Sequence, residues 1–67
     1  MKPRRYSARL VARIEETDGR WHAGRDNLDV LCRLAVERRQ PGEIAIVTDH
    51  ETGEAWLIGP DGQRTAA

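Results

Sequence analysis

One alternation constrains the fold of this chain more than anything else in it. Between residues 5 and 16, Tyr6, Ala8, Leu10, Ala12 and Ile14 interleave with Arg5, Ser7, Arg9, Val11, Arg13 and Glu15. A period of two puts the first set on one face of a strand and the second on the other, so the segment reads as a half-buried β-strand. Asp18-Gly19 follows. It suits a two-residue hairpin loop, whose central residues both need positive φ. Such a loop pairs Glu16 with Trp21 and Ile14 with Ala23, and it puts Trp21 and Ala23 on the face of Ile14. Residues 20–24 are therefore expected to form a second strand.

The period then changes. Over residues 26–40, Leu28, Leu31, Cys32 and Ala35 follow helical spacing with Leu34 beside them, the mark of an amphipathic helix. Asp26 is the expected N-cap, with Asp29 three residues on, and Arg38 and Arg39 favour the other end of the helix dipole. Pro41-Gly42 stops the helix. Residues 43–49 and 54–59 read as two further strands around a turn at Thr52-Gly53. Two registers are open for this hairpin. A three-residue loop groups Ile46, Ile58, Thr48 and Trp56 on one face, with Val47 and Leu57 on the other. A four-residue loop groups Ile46 with Leu57 and Val47 with Trp56. The first is preferred, because Ile44, Ile46, Trp56 and Ile58 then share the core.

The expected fold is α+β, a two-layer β-β-α-β-β arrangement. A four-stranded, mainly antiparallel sheet carries one helix packed on one face. Its core comprises Tyr6, Leu10, Ile14, Trp21, Leu28, Leu31, Leu34, Ala35, Ile44, Ile46, Trp56 and Ile58. Residues 1–4 form a basic N-terminal arm and residues 5–60 a single α+β domain. Residues 61–67, which offer no core side chain, form a flexible tail.

Composition narrows the functional classes. A chain of 67 residues buries only about 60% of its unfolded surface, so its stability is marginal unless something staples it. The single cysteine excludes an internal disulfide framework. No apolar run is long enough to span a membrane, and the basic start Met1-Lys2-Pro3-Arg4-Arg5 is not followed by the apolar block of a signal peptide. A cytoplasmic protein without membrane contact is expected. Eleven Lys/Arg balance eleven Asp/Glu, but unevenly. Residues 1–25 carry seven cations and three anions, a formal +4, and residues 26–67 four cations and eight anions, a formal −4. The zero total argues against a dedicated nucleic-acid binder, and the split leaves room for a basic patch.

Catalysis finds no support in the sequence. Cys32, His22 and His50 lack the spacing of a zinc site, so no metal is expected. No glycine set fits a phosphate loop, so no cofactor is expected. Glu15 and Glu16 are adjacent and point to opposite faces of a strand, which prevents a facing acid–base pair. Cys32 lies on the apolar helix stripe and reads as a small core residue. The chain is expected not to be an enzyme.

Binding is better founded. Arg5, Arg9 and Arg13 recur every fourth residue on the outer strand face, about 13 Å apart. With Val11, Val47 and Leu57 they form the candidate binding surface, since arginines around an apolar patch resemble an interface. The expected function is a small non-catalytic protein-binding module, of the kind found as bacterial antitoxins or phage or prophage inhibitors, that occupies a partner protein's surface. The same face is expected to allow a homodimer. The alternative is a nucleic-acid-binding protein that uses the basic N-terminal arm and the first strand, and a structural subunit of a larger assembly is a third reading. The strand–strand–helix order, with Asp18-Gly19-Arg20-Trp21 at its turn, resembles small bacterial domains of the HicB-antitoxin kind. That family's Pro-Asp-Leu-Pro-Gly loop is missing here, so the resemblance implies a topology and no residue role.

Overall fold

A computed structural model describes residues 4–67. Its elements are β1 (Tyr6–Val11), β2 (Trp21–Arg25), α1 (Leu28–Arg38), β3 (Ile44–Asp49), β4 (Ala55–Ile58) and β5 (Arg64–Ala66). The strands form one antiparallel sheet in the order β2-β1-β3-β4-β5, so the class is α+β. The helix lies over β1 to β4. Lys2 and the rest of the first three residues, most of the expected N-terminal arm, lie outside the described residues.

The first hairpin departs from the expected one. β1 ends at Val11, and Trp21 pairs with Leu10 rather than Glu16. Residues 12–20 form a loop that folds back on the sheet, where Arg20 N donates to Leu10 O at 2.8 Å. Inside the loop, Glu16 N donates to Arg13 O, so Ile14 sits in a tight turn and is 52% exposed. Ile14 is thus not core. The displacement along the strand is even-numbered, so Tyr6, Ala8, Leu10, Trp21 and Ala23 still share the helix-side face.

The second hairpin takes the four-residue loop. Ile46 pairs with Leu57 and Val47 with Trp56, and Asp49 N donates to Glu54 O across residues 50–53. This is a one-residue slip from the preferred register, and it turns β3 over. Ala45 and Val47 face the helix, while Ile44 and Ile46 face away. Ala8 and Ala45 of the sheet and Ala35 of the helix are all buried in one core cluster, where their small side chains take up little space between the layers. Leu10, Leu31, Cys32, Val47 and Ile58 complete the buried core, with Trp21, Leu28 and Trp56 packed against it. Leu34 is half-buried outside this cluster, and Val36 takes a place in it.

A fifth strand corrects the expected tail. Pro60-Asp61-Gly62 turns the chain, with Gly59 N donating to Gln63 O at 2.9 Å and Gln63 N to Asp61 Oδ1 at 3.1 Å. Arg64–Ala66 then pair along β4. The strand needs no core side chain, because the open edge of β4 supplies its hydrogen bonds.

The helix cap also differs by one residue. Asn27 is the N-cap, its side chain accepting from Val30 N at 3.2 Å. Asp26 instead accepts from Arg4 Nη1 at 2.8 Å and from the Arg5 backbone N–H, which together hold its carboxyl below the usual range. At the other end, Arg20 Nη2 donates to the Arg38 carbonyl at 2.8 Å and so satisfies a helix C-terminal acceptor.

Candidate functional site

The two arginine–carboxylate pairs beside the sheet have one geometry. Arg5 presents Nε and Nη2 to Asp49 Oδ1 and Oδ2 at 3.2 and 3.1 Å, and its Nε also lies 3.0 Å from Glu51. Arg20 presents Nε and Nη2 to Glu43 Oε2 and Oε1, both at 2.8 Å. Each is a side-on, two-pronged contact of the kind that planar guanidinium groups favour. Asp49 is 3% exposed, and the Arg5 fork holds its carboxyl down from the usual 3.8 to about 2. Glu43 is drawn from 4.5 to about 2 by Arg20 and then by the Gln40 N–H. Both arginines are themselves raised above their ordinary value, first by the hydrogen bond to the carboxylate.

These pairs make acid sensitivity predictable. A carboxyl whose pKa is lower folded than unfolded stabilises the fold fully above its unfolded value, and that contribution is lost as pH falls towards its folded value. Stability should therefore decline between about pH 4.5 and 2 as Glu43 and Asp49 take up protons. In thermal melts across that range, Arg20→Gln and Arg5→Gln should each flatten the decline. A double variant that loses stability as steeply as the wild type would assign acid sensitivity to other groups.

The expected arginine stripe is not a stripe. Arg5 precedes β1 and is engaged with Asp49 and Glu51. Arg13 lies in the 12–20 loop, exposed and off the strand. Val11 does face away from the helix but is 1% exposed, with Gly19 of the loop against its side chain. Val47 is wholly buried on the helix side and leaves the candidate surface. Of the six candidates, the structure brings Arg9 and Leu57 together on the outer face.

They belong to one row that crosses the whole sheet. His22 pairs with Arg9, Arg9 with Ile46, Ile46 with Leu57 and Leu57 with Thr65. Four strand spacings make this row about 19 Å long. Ile46 is 4% exposed within it, and Leu57 is half-buried. The row above holds Val11 and Ile44, and the row below holds Gly24, Ser7, Thr48 and Ala55. None of these residues is acidic. Arg9 Nε is buried, and no hydrogen-bond acceptor reaches it among the described residues. At the rim, Ser7 Oγ and His50 Nε2 lie 2.8 Å apart, which joins the lower row to the β3–β4 loop.

Sequence reasoning missed Ile44 and Ile46 as members of this surface. Their period was visible, but only the pairing registers decide which face they occupy.

On the helix side, α1 leaves β5 uncovered. A groove of about 400 Å³ lies there, lined by Asp29, Cys32 and Arg33 of the helix and by Asp61, Gln63 and Arg64. Its charges largely answer one another, as in the 3.4 Å contact of Arg64 with Asp29. Cys32 is buried, which pushes its thiol pKa up, and Arg64 only partly offsets this. A thiol in that state is a poor nucleophile. Among the described residues, no group of three or more His, Cys, Asp or Glu side chains is placed to hold a metal, and no helix is long and apolar enough to cross a membrane.

Comparison with known protein families, with curated proteins and with solved structures finds no match to this chain.

Proposed function

We propose that this chain is a small non-catalytic protein-binding module whose outer sheet face docks on a partner protein. The observation that supports it most is the composition of that face. Ile44, Ile46 and Leu57 lie on the β3–β4 side of Arg9, with no carboxylate in any of the three rows. Interface cores are depleted in charge and enriched in arginine beside apolar groups. A role as an inhibitor that covers its target's surface, as antitoxins and phage or prophage inhibitors do, agrees with a site made of a flat face rather than a cleft.

The reading in which nucleic acid is the partner draws on the basic N-terminal arm, most of which lies outside the described residues, and on a line of cations along β1. With Arg5 held by two carboxylates and Arg13 in the loop, Arg9 is the cation that β1 itself presents on this face. Binding to a phosphate backbone usually draws on several such contacts and weakens steeply with salt.

The test uses Leu57→Glu. A partner captured by the wild-type chain from its host is purified and its affinity measured for both forms, with circular dichroism confirming the fold. Losing the apolar contact should weaken binding about tenfold or more, since a buried leucine contributes ~1.5–3 kcal/mol. Equal affinity for the variant moves the interface off this face. Tight, steeply salt-dependent binding to generic DNA or RNA overturns the protein-binding reading.

A further inference from the structure

We infer that the open edge of β2 is a self-association site, where a second copy of this chain adds its own β2 antiparallel across a two-fold axis at Ala23. The edge is a different surface from the outer sheet face, so the inference stands apart from the docking reading given above.

Strand pairing shows which groups the edge offers. β1 and β3 register Tyr6 with Asp49, and one step on, His50 N donates to Arg5 O at 2.8 Å. Backbone groups alternate in direction along an antiparallel strand. Ser7, Arg9 and Val11 therefore bond to β3, and Tyr6, Ala8 and Leu10 to β2. The Arg20 N–H on Leu10 O agrees with this. Arg25, Ala23 and Trp21 pair with those three and turn inward, so His22 and Gly24 turn their N–H and C=O groups to the open side. Gly24 O accordingly accepts from a side chain, Arg25 Nη1 at 2.7 Å. Open edges are commonly blunted by proline or lysine, and Trp21–Arg25 contains neither.

Apolar side chains line the helix side of this edge. Asp29, Cys32, Arg33 and Val36 form the flank of α1 that looks towards β5. Helical spacing puts Val30 and Leu34 on the opposite flank, towards β2. Val30 is 45% exposed, and Leu34 is half-buried outside the core. Trp21, also half-buried, lies on the same side of the sheet.

The edge is complementary to itself. An axis at Ala23 sets His22 against the partner's Gly24, so the outward groups of both strands are bonded. An axis at His22 would set Gly24 against the partner's Arg20, whose N–H is already held by Leu10 O, and an axis at Gly24 would carry His22 past the end of the partner's strand. With the axis at Ala23, Trp21 meets the partner's Arg25 and Arg20 meets the partner's Asp26, an aromatic–cation and an opposite-charge pair. The 12–20 loop, with Glu15, Glu16 and Asp18, precedes β2, and antiparallel pairing brings that end towards the partner's Arg25. Arg25 has no carboxylate of its own among the described residues. The two helices then run antiparallel on one side of the joined sheet, with Val30 and Leu34 towards the seam. β5, at the other edge, is three residues long and exposed throughout. Pairing β2 with a partner's β5 would be head-to-tail and would not close.

Sedimentation equilibrium of the full chain tests this, with circular dichroism as the check on folding. A species of twice 7.6 kDa should form as concentration rises. His22→Pro removes an outward N–H and no bond to β1, and Val30→Glu alters no backbone bond. Each should weaken the dimer about tenfold or more. Ala23→Cys reads the register. The two substituted positions face each other as a non-hydrogen-bonded pair with Cα atoms ~4.5 Å apart, within disulfide reach, so mild oxidation should link the chains. His22→Cys, with ~8 Å between the two copies, should not link. The native Cys32 is buried. A 7.6 kDa species at every concentration up to the millimolar range overturns the inference. A dimer that survives both His22→Pro and Val30→Glu, or that Ala23→Cys fails to link, places the interface elsewhere and overturns it too. Growth without limit, the mark of β2 pairing with β5, has the same consequence. None of these outcomes bears on the outer face, which Leu57→Glu tests separately.

Discussion

Gly19→Ala is expected to remove about 3 kcal/mol or more of the protein's stability, whereas Gly42→Ala should cost no more than ~1–2 kcal/mol. Both glycines have positive φ, +77° and +86°. A non-glycine residue in that region costs ~1–2 kcal/mol at either position. The surroundings differ. A Cβ on Gly19 would fall 2.4 Å from Leu10 O and 2.9 Å from Val11 Cγ1, whereas one on Gly42 meets nothing within 4 Å. Leu10 O cannot withdraw freely, since it accepts the Arg20 N–H at 2.8 Å. Relieving the overlap means lifting the 12–20 loop from Val11 and breaking that bond. The combined loss at Gly19 should be about 3 kcal/mol or more. A chain of this length has roughly 3–10 kcal/mol to lose. Urea unfolding of the two variants decides the matter, and equal midpoints would mean that the loop does not pack on Val11 as described.

Leu31→Ala should cost about 2–5 kcal/mol, the range for emptying a fully buried leucine site. Leu31 is among the largest side chains with no exposed surface, on the helix face that meets Ala8, Leu10 and Val47. Its core neighbours are held in a close-packed interior, so little can move in to fill the space. Val30, its neighbour in sequence, is exposed, and Val30→Ala should change stability by no more than about 0.5 kcal/mol. Chemical denaturation gives both values. A Leu31→Ala cost below about 1 kcal/mol would place the helix elsewhere on the sheet.

The helix and the strands β1 to β4 were legible because their periods are strong, and Pro41-Gly42 marked a real boundary. The registers were less so, for a reason that the two hairpins separate. In the first, the misplaced turn moved the pairing by an even number of residues, and every side chain kept its face. In the second, Ile44-Ala45-Ile46-Val47 is apolar throughout. Such a central strand satisfies its hydrophobic pattern in either register, so pattern could not choose. The choice falls instead to the fit of Ala45 and Val47 under the helix and to the loop ending at Gly53. Volume and loop geometry, unlike hydrophobicity, are not periodic in the sequence. β5 was missed because core-forming residues were taken as the mark of a strand, although Asp61-Gly62 is itself a turn signal. The outer-face row inherits these lessons. Arg9 and Leu57 were identified from alternation, Val47 was lost to the slipped register, and Ile44 and Ile46 were gained by it.

The strand order β2-β1-β3-β4-β5 also shapes how the chain must come together. Three of its four seams, β1–β2, β3–β4 and β4–β5, each join strands consecutive in sequence. The β1–β3 seam does not. It pairs Tyr6 with Asp49 and Val11 with Ile44, closing a circuit through β2 and the helix. Until β3 has been synthesised, β1 and β2 are an isolated ribbon, which is marginal in water, and the helix lacks much of the floor it rests on. Folding therefore has to wait until β3 has left the ribosome. The late, long-range closure of β1 on β3 is then the step expected to set the rate. Ala8, Leu10, Ala45 and Val47 lie along that seam, so substitutions there should slow folding, while changes in the β4–β5 turn should act chiefly on unfolding.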